Sequence, residues 1–143
     1  MAGDGNVNSN KDLISLIKSF YLENHIVLMG HMDIKDFFHL IDVHVLSSSH
    51  GEGFPNVVAE AMLCNVFSIA TNVGESKNII GDCGFIVNPE NPKDLSEAMY
   101  KSYDIFKNNP KYYQKITNLA RKRIIERFSI KLMLNNYYDV WKN

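Results

Sequence analysis

Four short apolar runs constrain this chain most: 26–29 (Ile-Val-Leu-Met), Val43–Leu46, 66–70 (Val-Phe-Ser-Ile-Ala) and 84–87 (Gly-Phe-Ile-Val), set among longer stretches with helical spacing. Parallel strands need crossovers of about a dozen residues, usually helical, so this alternation predicts an α/β fold with a parallel sheet. The run at 26–29 is apolar throughout rather than alternating, as in a strand covered on both faces, so helices should lie on each side. A first helix is expected from a cap at Asn8 or Ser9 to about Asn24, carrying Leu13, Ile14, Leu16, Ile17 and Phe20 on one face. A short helix is expected over 34–40 and another turn of helix over 77–80. Asn91-Pro92 and Asn109-Pro110 each place a capping residue before a first-turn proline, and Ser129 caps a last helix containing Tyr137, Tyr138 and Trp141.

At 143 residues the chain reads as a single domain, 1–143. Fifteen Lys and Arg against 16 Asp and Glu leave a formal charge of -1, which gives no general attraction to nucleic acid. Cys64 and Cys83 have neither disulfide-framework nor metal-site spacing and read as small reduced core residues. The five histidines are scattered: His44 reads as a packed strand residue, whereas His31 and His50 stand at strand ends, where ligand contact is open to them. His50-x-Glu52 has no later Cys-x-x-Cys, and no metal site is expected. Gly3-x-Gly5 follows no strand and reads as a loop turn rather than half of a dinucleotide motif. No export signal or spanning segment is found, so a cytoplasmic location is expected, with the inner face of the membrane as an alternative.

Ligands of open parallel sheets sit beyond the carboxyl ends of the strands, and the most polar, glycine-rich end here is 50–56 (His-Gly-Glu-Gly-Phe-Pro-Asn). Gly51 and Gly53 let the backbone approach a ligand. Pro55 as first helical residue leaves the amides of Asn56 and Val57 unpaired, suited to a phosphate oxygen. Glu52 in the loop and Glu60, just past the first turn of the helix, can face the same cleft, and a carboxylate accepts two hydrogen bonds from a vicinal diol. A phosphate-binding helix start between two such carboxylates describes a nucleotide-sugar site. The plainer alternative is a solvated loop glutamate and a surface helix charge.

Residues 52–62 (Glu-Gly-Phe-Pro-Asn-Val-Val-Ala-Glu-Ala-Met) closely resemble the E-G-F-P-x-x-x-x-E-A-M signature of retaining glycosyltransferase family 4, the glycosyl transferases group 1, which has the two-domain GT-B architecture. Residues 27–30, 41–47, 71–74 and 79–89 resemble the flanking strands and loops, so the resemblance covers nearly the whole chain. It implies a Rossmann-like C-terminal half-domain of a GT-B fold, lacking its first strands. Glu60 would bind the ribose hydroxyls and Glu52, as the catalytic residue, would hydrogen-bond the donor sugar. Gly51, Gly53, Phe54, Pro55, Asn56 and Val57 would meet the sugar and diphosphate, and Gly30, His31 and Met32 would form the base-facing turn. The implied donor is a UDP-sugar or GDP-sugar, transferred with retention to a glycan or lipid-linked acceptor in polysaccharide biosynthesis, with no cofactor or metal. The alternative is a noncatalytic nucleotide-sugar-binding or interaction module.

The departures from the family pattern also carry expectations. Asn65-Val66-Phe67 replaces its usual G-V-P, with Asn65 suited to a left-handed helix end. Glu75 and Asn78 stand where a second Gly and a Glu are common, which alters the sugar-side loop. The opening residues match the middle of the family's C-terminal domain. The first two strands, the Arg and Lys that hold the diphosphate, and the N-terminal acceptor domain are therefore expected to be missing partners of this chain. Arg121-Lys122-Arg123 with Arg127 reads as a solvated basic face, with peripheral membrane contact as the alternative. Tyr137, Tyr138 and Trp141 read as core or as an exposed patch.

Overall fold

The computed structural model describes residues 1–142, which group into two compact units, Met1–Leu40 and 41–142. In the first, α1 (Lys11–Ser19) starts at Asn10, whose side chain accepts from the Leu13 amide at 3.1 Å. The cap is thus Asn10 rather than Asn8 or Ser9. The helix also stops well short of Asn24, because Tyr21 takes a left-handed φ of 57° that no helix continues through. A short α2 (Ile34–Phe38) buries Phe38, ending two residues before the expected 40.

The expected strand at 26–29 does not form. Met29 donates to the Met1 carbonyl, the Met1 ammonium to Val27 O and the Gly3 amide to Gly30 O, but the pairing amounts to one parallel bridge, Ala2–Gly30. Val27 is 69% exposed. A β-prone tetrapeptide becomes a strand only when ladders and packed faces flank it, and three N-terminal residues supply neither.

The second unit holds β1 (Val43–Leu46), α3 (Asn56–Leu63), β2 (Phe67–Thr71), α4 (Ser76–Ile80), β3 (Phe85–Val87), α5 (Pro92–Asn108), α6 (Pro110–Arg127) and α7 (Ile130–Lys142). The three strands are parallel in the order β1-β2-β3, with Leu46 opposite Ala70 and Thr71 opposite Val87. Alternation sorts their side chains into two layers. Leu46, Ala70 and Ile86 pack with Val58, Met62, Ile79, Ile80, Ala120 and Ile124 from α3, α4 and α6. Val43, Val45, Phe67, Ile69, Phe85 and Val87 pack with Leu95 and Ala98 of α5 and Ile116 and Tyr113 of α6. Helices therefore cover both faces, and every residue of β2 is buried.

Asn91 and Asn109 cap α5 and α6 through their side chains, each followed by proline, and Ser129 Oγ accepts from the Leu132 amide. Helix α3 ends in a Schellman motif: Val66 N–H bonds Ala61 O, Asn65 N–H bonds Met62 O, and Asn65 carries φ 61° in the place usually taken by glycine. The basic face on α6 is exposed at Arg121, Lys122 and Arg127, as expected, and two of its arginines also tie down other helices. Arg121 donates to Leu63 O at the end of α3, and Arg123 donates to Ile79 O at 2.9 Å and Asn78 O at 2.6 Å at the end of α4. Guanidinium donors here satisfy helix-end carbonyls that would otherwise lack partners. Cys64 and Cys83 are half-buried free thiols, and burial pushes the Cys83 pKa up. Among the described residues no helix is long and apolar enough to cross a membrane.

Candidate functional site

The carboxyl ends of β1 and β2 open into two loops that grip one another. Gly74, at φ 55°, lies so close to the first loop that a Cβ there would fall 2.3 Å from Glu52 O and 2.4 Å from Gly53 O. Only glycine fits the conformation and the space together. The next amide, Glu75 N–H, donates to Gly53 O at 2.9 Å. On the other side, Thr71 Oγ1 donates to Ser48 O at 2.6 Å and Ser48 Oγ donates to Glu52 Oε1 at 2.7 Å. Glu52 is thus held through both its backbone and its carboxylate.

Helix α3 rises from this loop. Its first residue is Asn56, so Pro55 occupies the cap position rather than the first helical one, with φ -72°. The correction moves the helix start by one residue and leaves the chemistry unaltered. The Val58 amide turns back to Pro55 O at 3.1 Å, and no side chain caps the end. The amides of Asn56 and Val57, at the first two helical positions, have no acceptor within the helix. They face outward at the positive end of the helix dipole. Pro55 is buried and Asn56 exposed, so the helix start is anchored in the fold and open to solvent at once.

Glu60 lies just past the first turn of α3, between fully buried Val58 and Ala61. The residue is partly exposed, yet its Oε2 is buried and has no hydrogen-bond partner among the described residues. A buried carboxylate oxygen without a donor is costly, and such groups commonly mark a place where a ligand donates. Phe54 is exposed, and its ring meets that of Phe128 at a tilt of 56°, with centroids 5.6 Å apart. Both border a cleft of about 580 Å³ that includes Asn56 and runs along Met133, Tyr137 and Val140 of α7. Tyr137, Tyr138 and Trp141 are exposed, which makes them surface rather than core.

The structure brings Gly51, Glu52, Gly53, Phe54, Pro55, Asn56, Val57 and Glu60 into one loop-and-helix unit. Gly30, His31 and Met32 belong to the first unit. There Gly30 has φ 62° and donates to Asn6 O at 2.8 Å, while His31 is almost fully exposed, its Nδ1 3.9 Å from Asp4 Oδ1. His44 is buried, and desolvation lowers its pKa to about 4. Sequence reasoning passed over Ser48, Thr71 and the tight contact of Gly74, since none of them belongs to a charged motif. A serine four residues before the glutamate, after an apolar run, was the available signal.

The family pattern for glycosyl transferases group 1 matches residues 1–104. Sucrose synthase 2 of Pisum sativum is 32% identical over 99 residues, 64% of this chain and 12% of that protein. Among solved structures, a glycosyltransferase from Rickettsia africae superposes with a TM-score of 0.88 at 28% identity, covering 99% of this chain and 38% of its own. Anabaena HepE, solved with UDP-glucose, superposes with a TM-score of 0.81 at 21% identity, over 99% of this chain and 39% of its own. The chain therefore spans about an eighth of the sucrose synthase and less than two-fifths of either solved protein.

Proposed function

The chain belongs to the glycosyl transferases group 1 family and has the fold of a C-terminal GT-B half-domain, and from this premise we propose that it is the donor-binding part of a retaining glycosyltransferase. It would take a nucleoside-diphosphate sugar and present it for transfer to a glycan or lipid-linked acceptor. The observation that carries this reading is the buried, unpartnered Oε2 of Glu60. A ribose diol offers two donors to one carboxylate and removes that deficit. The complex of HepE with UDP-glucose favours uridine as the base.

In this reading the diphosphate meets the free amides of Asn56 and Val57. As the bond from the anomeric carbon to the diphosphate breaks, negative charge grows on the leaving oxygen, and fixed amide dipoles at a helix start stabilise that charge without reorganising. In this reading the role needs no metal ion, so adding EDTA should leave UDP affinity unchanged. Glu52, behind the amides, hydrogen-bonds the donor sugar. The acceptor is held by a separate domain, so the 143 residues alone bind donor and transfer nothing. The length of the solved relatives supports that division.

Calorimetric titration with UDP tests the assignment. Glu60→Gln keeps the shape and loses the charge, and a charged hydrogen bond contributes about 1.5–3 kcal/mol, so UDP affinity should fall ten-fold or more. Binding by the parent chain with no change in the variant removes the ribose role from Glu60. Sugar transfer by the isolated chain overturns the half-enzyme reading.

A further inference from the structure

We propose that Ser48 is the positioning residue of the Glu52 carboxylate, and that Thr71 holds Ser48 in place from the neighbouring strand. The inference rests on the donor-site reading above and adds two residues to which the sequence assigned no role. The β1–β2 register ends at Leu46 opposite Ala70. One residue further on, Thr71 is 4% exposed, and its hydroxyl reaches across to Ser48 O at 2.6 Å. A side chain thereby continues the strand-to-strand tie past the point where the backbone pairs diverge. It fixes the chain at Ser48 before the glycine-flanked loop opens.

From that fixed point Ser48 Oγ donates to Glu52 Oε1 at 2.7 Å. A hydroxyl has one proton to give, and this one is committed to a carboxylate, the stronger class of hydrogen bond. Glu52 sits between Gly51 and Gly53, and its own side chain has three rotatable bonds, so without the serine nothing in the described residues selects one orientation. With Oε1 held, Oε2 is the oxygen left for a sugar hydroxyl. The backbone beside Glu52 is fixed separately, by the close approach of Gly74 and by the Glu75 amide on Gly53 O. Two independent anchors, one on the backbone at Gly53 and one aimed only at the Glu52 carboxylate, are what a preorganised site requires.

The test titrates the 143-residue chain with UDP and with UDP-glucose and takes the ratio of the two dissociation constants. Glu52→Ala should raise the UDP-glucose to UDP ratio. Ser48→Ala should raise it several-fold, to roughly ten-fold, with UDP affinity itself unchanged, and Ser48→Thr, which keeps the hydroxyl, should restore the parent ratio. Because Ser48 acts through Glu52, adding Ser48→Ala to Glu52→Ala should change nothing further. Thr71→Val removes the second hydroxyl at constant shape and should raise the ratio by a smaller factor, and it carries the test if Ser48→Ala does not fold. A ratio that responds to Glu52→Ala but not to Ser48→Ala or Thr71→Val overturns the positioning role and leaves the donor site standing. So does equal loss of both affinities in Ser48→Ala, or failure of Ser48→Thr to restore the ratio. No UDP binding by the parent, or a ratio indifferent to Glu52→Ala, overturns the donor site and this inference together.

Discussion

Helix α3 has eight residues and α7 thirteen, yet four residues of α3 are buried and none of α7 is. The shorter helix is the better determined one. Its sequence is apolar nearly all round, so it has no choice but to lie between β1, β2, α4 and α6, and its start is fixed without any capping side chain. The longer helix is held by the Ser129 cap and by the cleft it shares with Phe54 and Phe128. Its apolar residues, Ile130, Leu134, Val140 and Trp141 among them, face solvent. Helix length and internal hydrogen bonding therefore do not say where rigidity lies. Burial does, and the free amides of Asn56 and Val57 are carried by the buried helix.

Truncation inside α3 gives the largest expected effect. Met62 is wholly buried, and Met62→Ala should cost about 2–5 kcal/mol in chemical denaturation. A loss below about 1 kcal/mol would erase the contrast with α7. Acid comes next. His44 lies on the strand face shared with Leu46, which packs toward α3, and its folded pKa of about 4 is below the ordinary 6.5. The unfolded chain then binds the extra proton over the interval between these values, so stability rises with pH there and is lost as pH falls below about 6.5. Between pH 7 and pH 5 the loss should be about 2 kcal/mol, and His44→Gln should flatten that slope in urea titrations at the two pH values.

The end of α3 is worth less. Asn65 holds φ 61°, and Asn65→Ala should destabilise by about 1 kcal/mol, whereas Asn65→Gly should be close to neutral or stabilising, as thermal melts of the pair would show. The smallest effect belongs to α7. Trp141 is 85% exposed, and Trp141→Ala should shift stability by no more than about 0.5 kcal/mol. A larger loss in the same melts would show that α7 is as much part of the core as α3.

Much of this contrast was legible in the residues. The runs at 43, 67 and 85 became strands because each is flanked by helices long enough to cover it. The Asn-Pro pairs set the starts of α5 and α6 because a cap and a fixed φ act locally. The run at 26–29 was equally apolar and failed, since strand formation depends on partners that a one-dimensional pattern does not contain. The solvated face at Arg121 and Arg123 was legible, but their hydrogen bonds were not, because the acceptors, carbonyls of Leu63, Ile79 and Asn78, are distant in sequence. In the site, the charged and glycine residues stood out, whereas Ser48 and Thr71 did not. A hydroxyl becomes informative only once its acceptor is known.

The two arginines of α6 have one more implication, for which changes the protein tolerates. Helices α3 and α4 stand behind the two loops that meet at Gly53 and Gly74, and both end on guanidinium groups two positions apart on a single helix. Inserting or deleting one residue in α6 ahead of Arg121 turns the rest of that helix by about 100° and carries both guanidinium groups off their carbonyls together. Substitutions along the outer side of α6 spare this arrangement, but changes in its length do not. The spacing of the loops at the front of the domain is thus written into the residue count of a helix at its back.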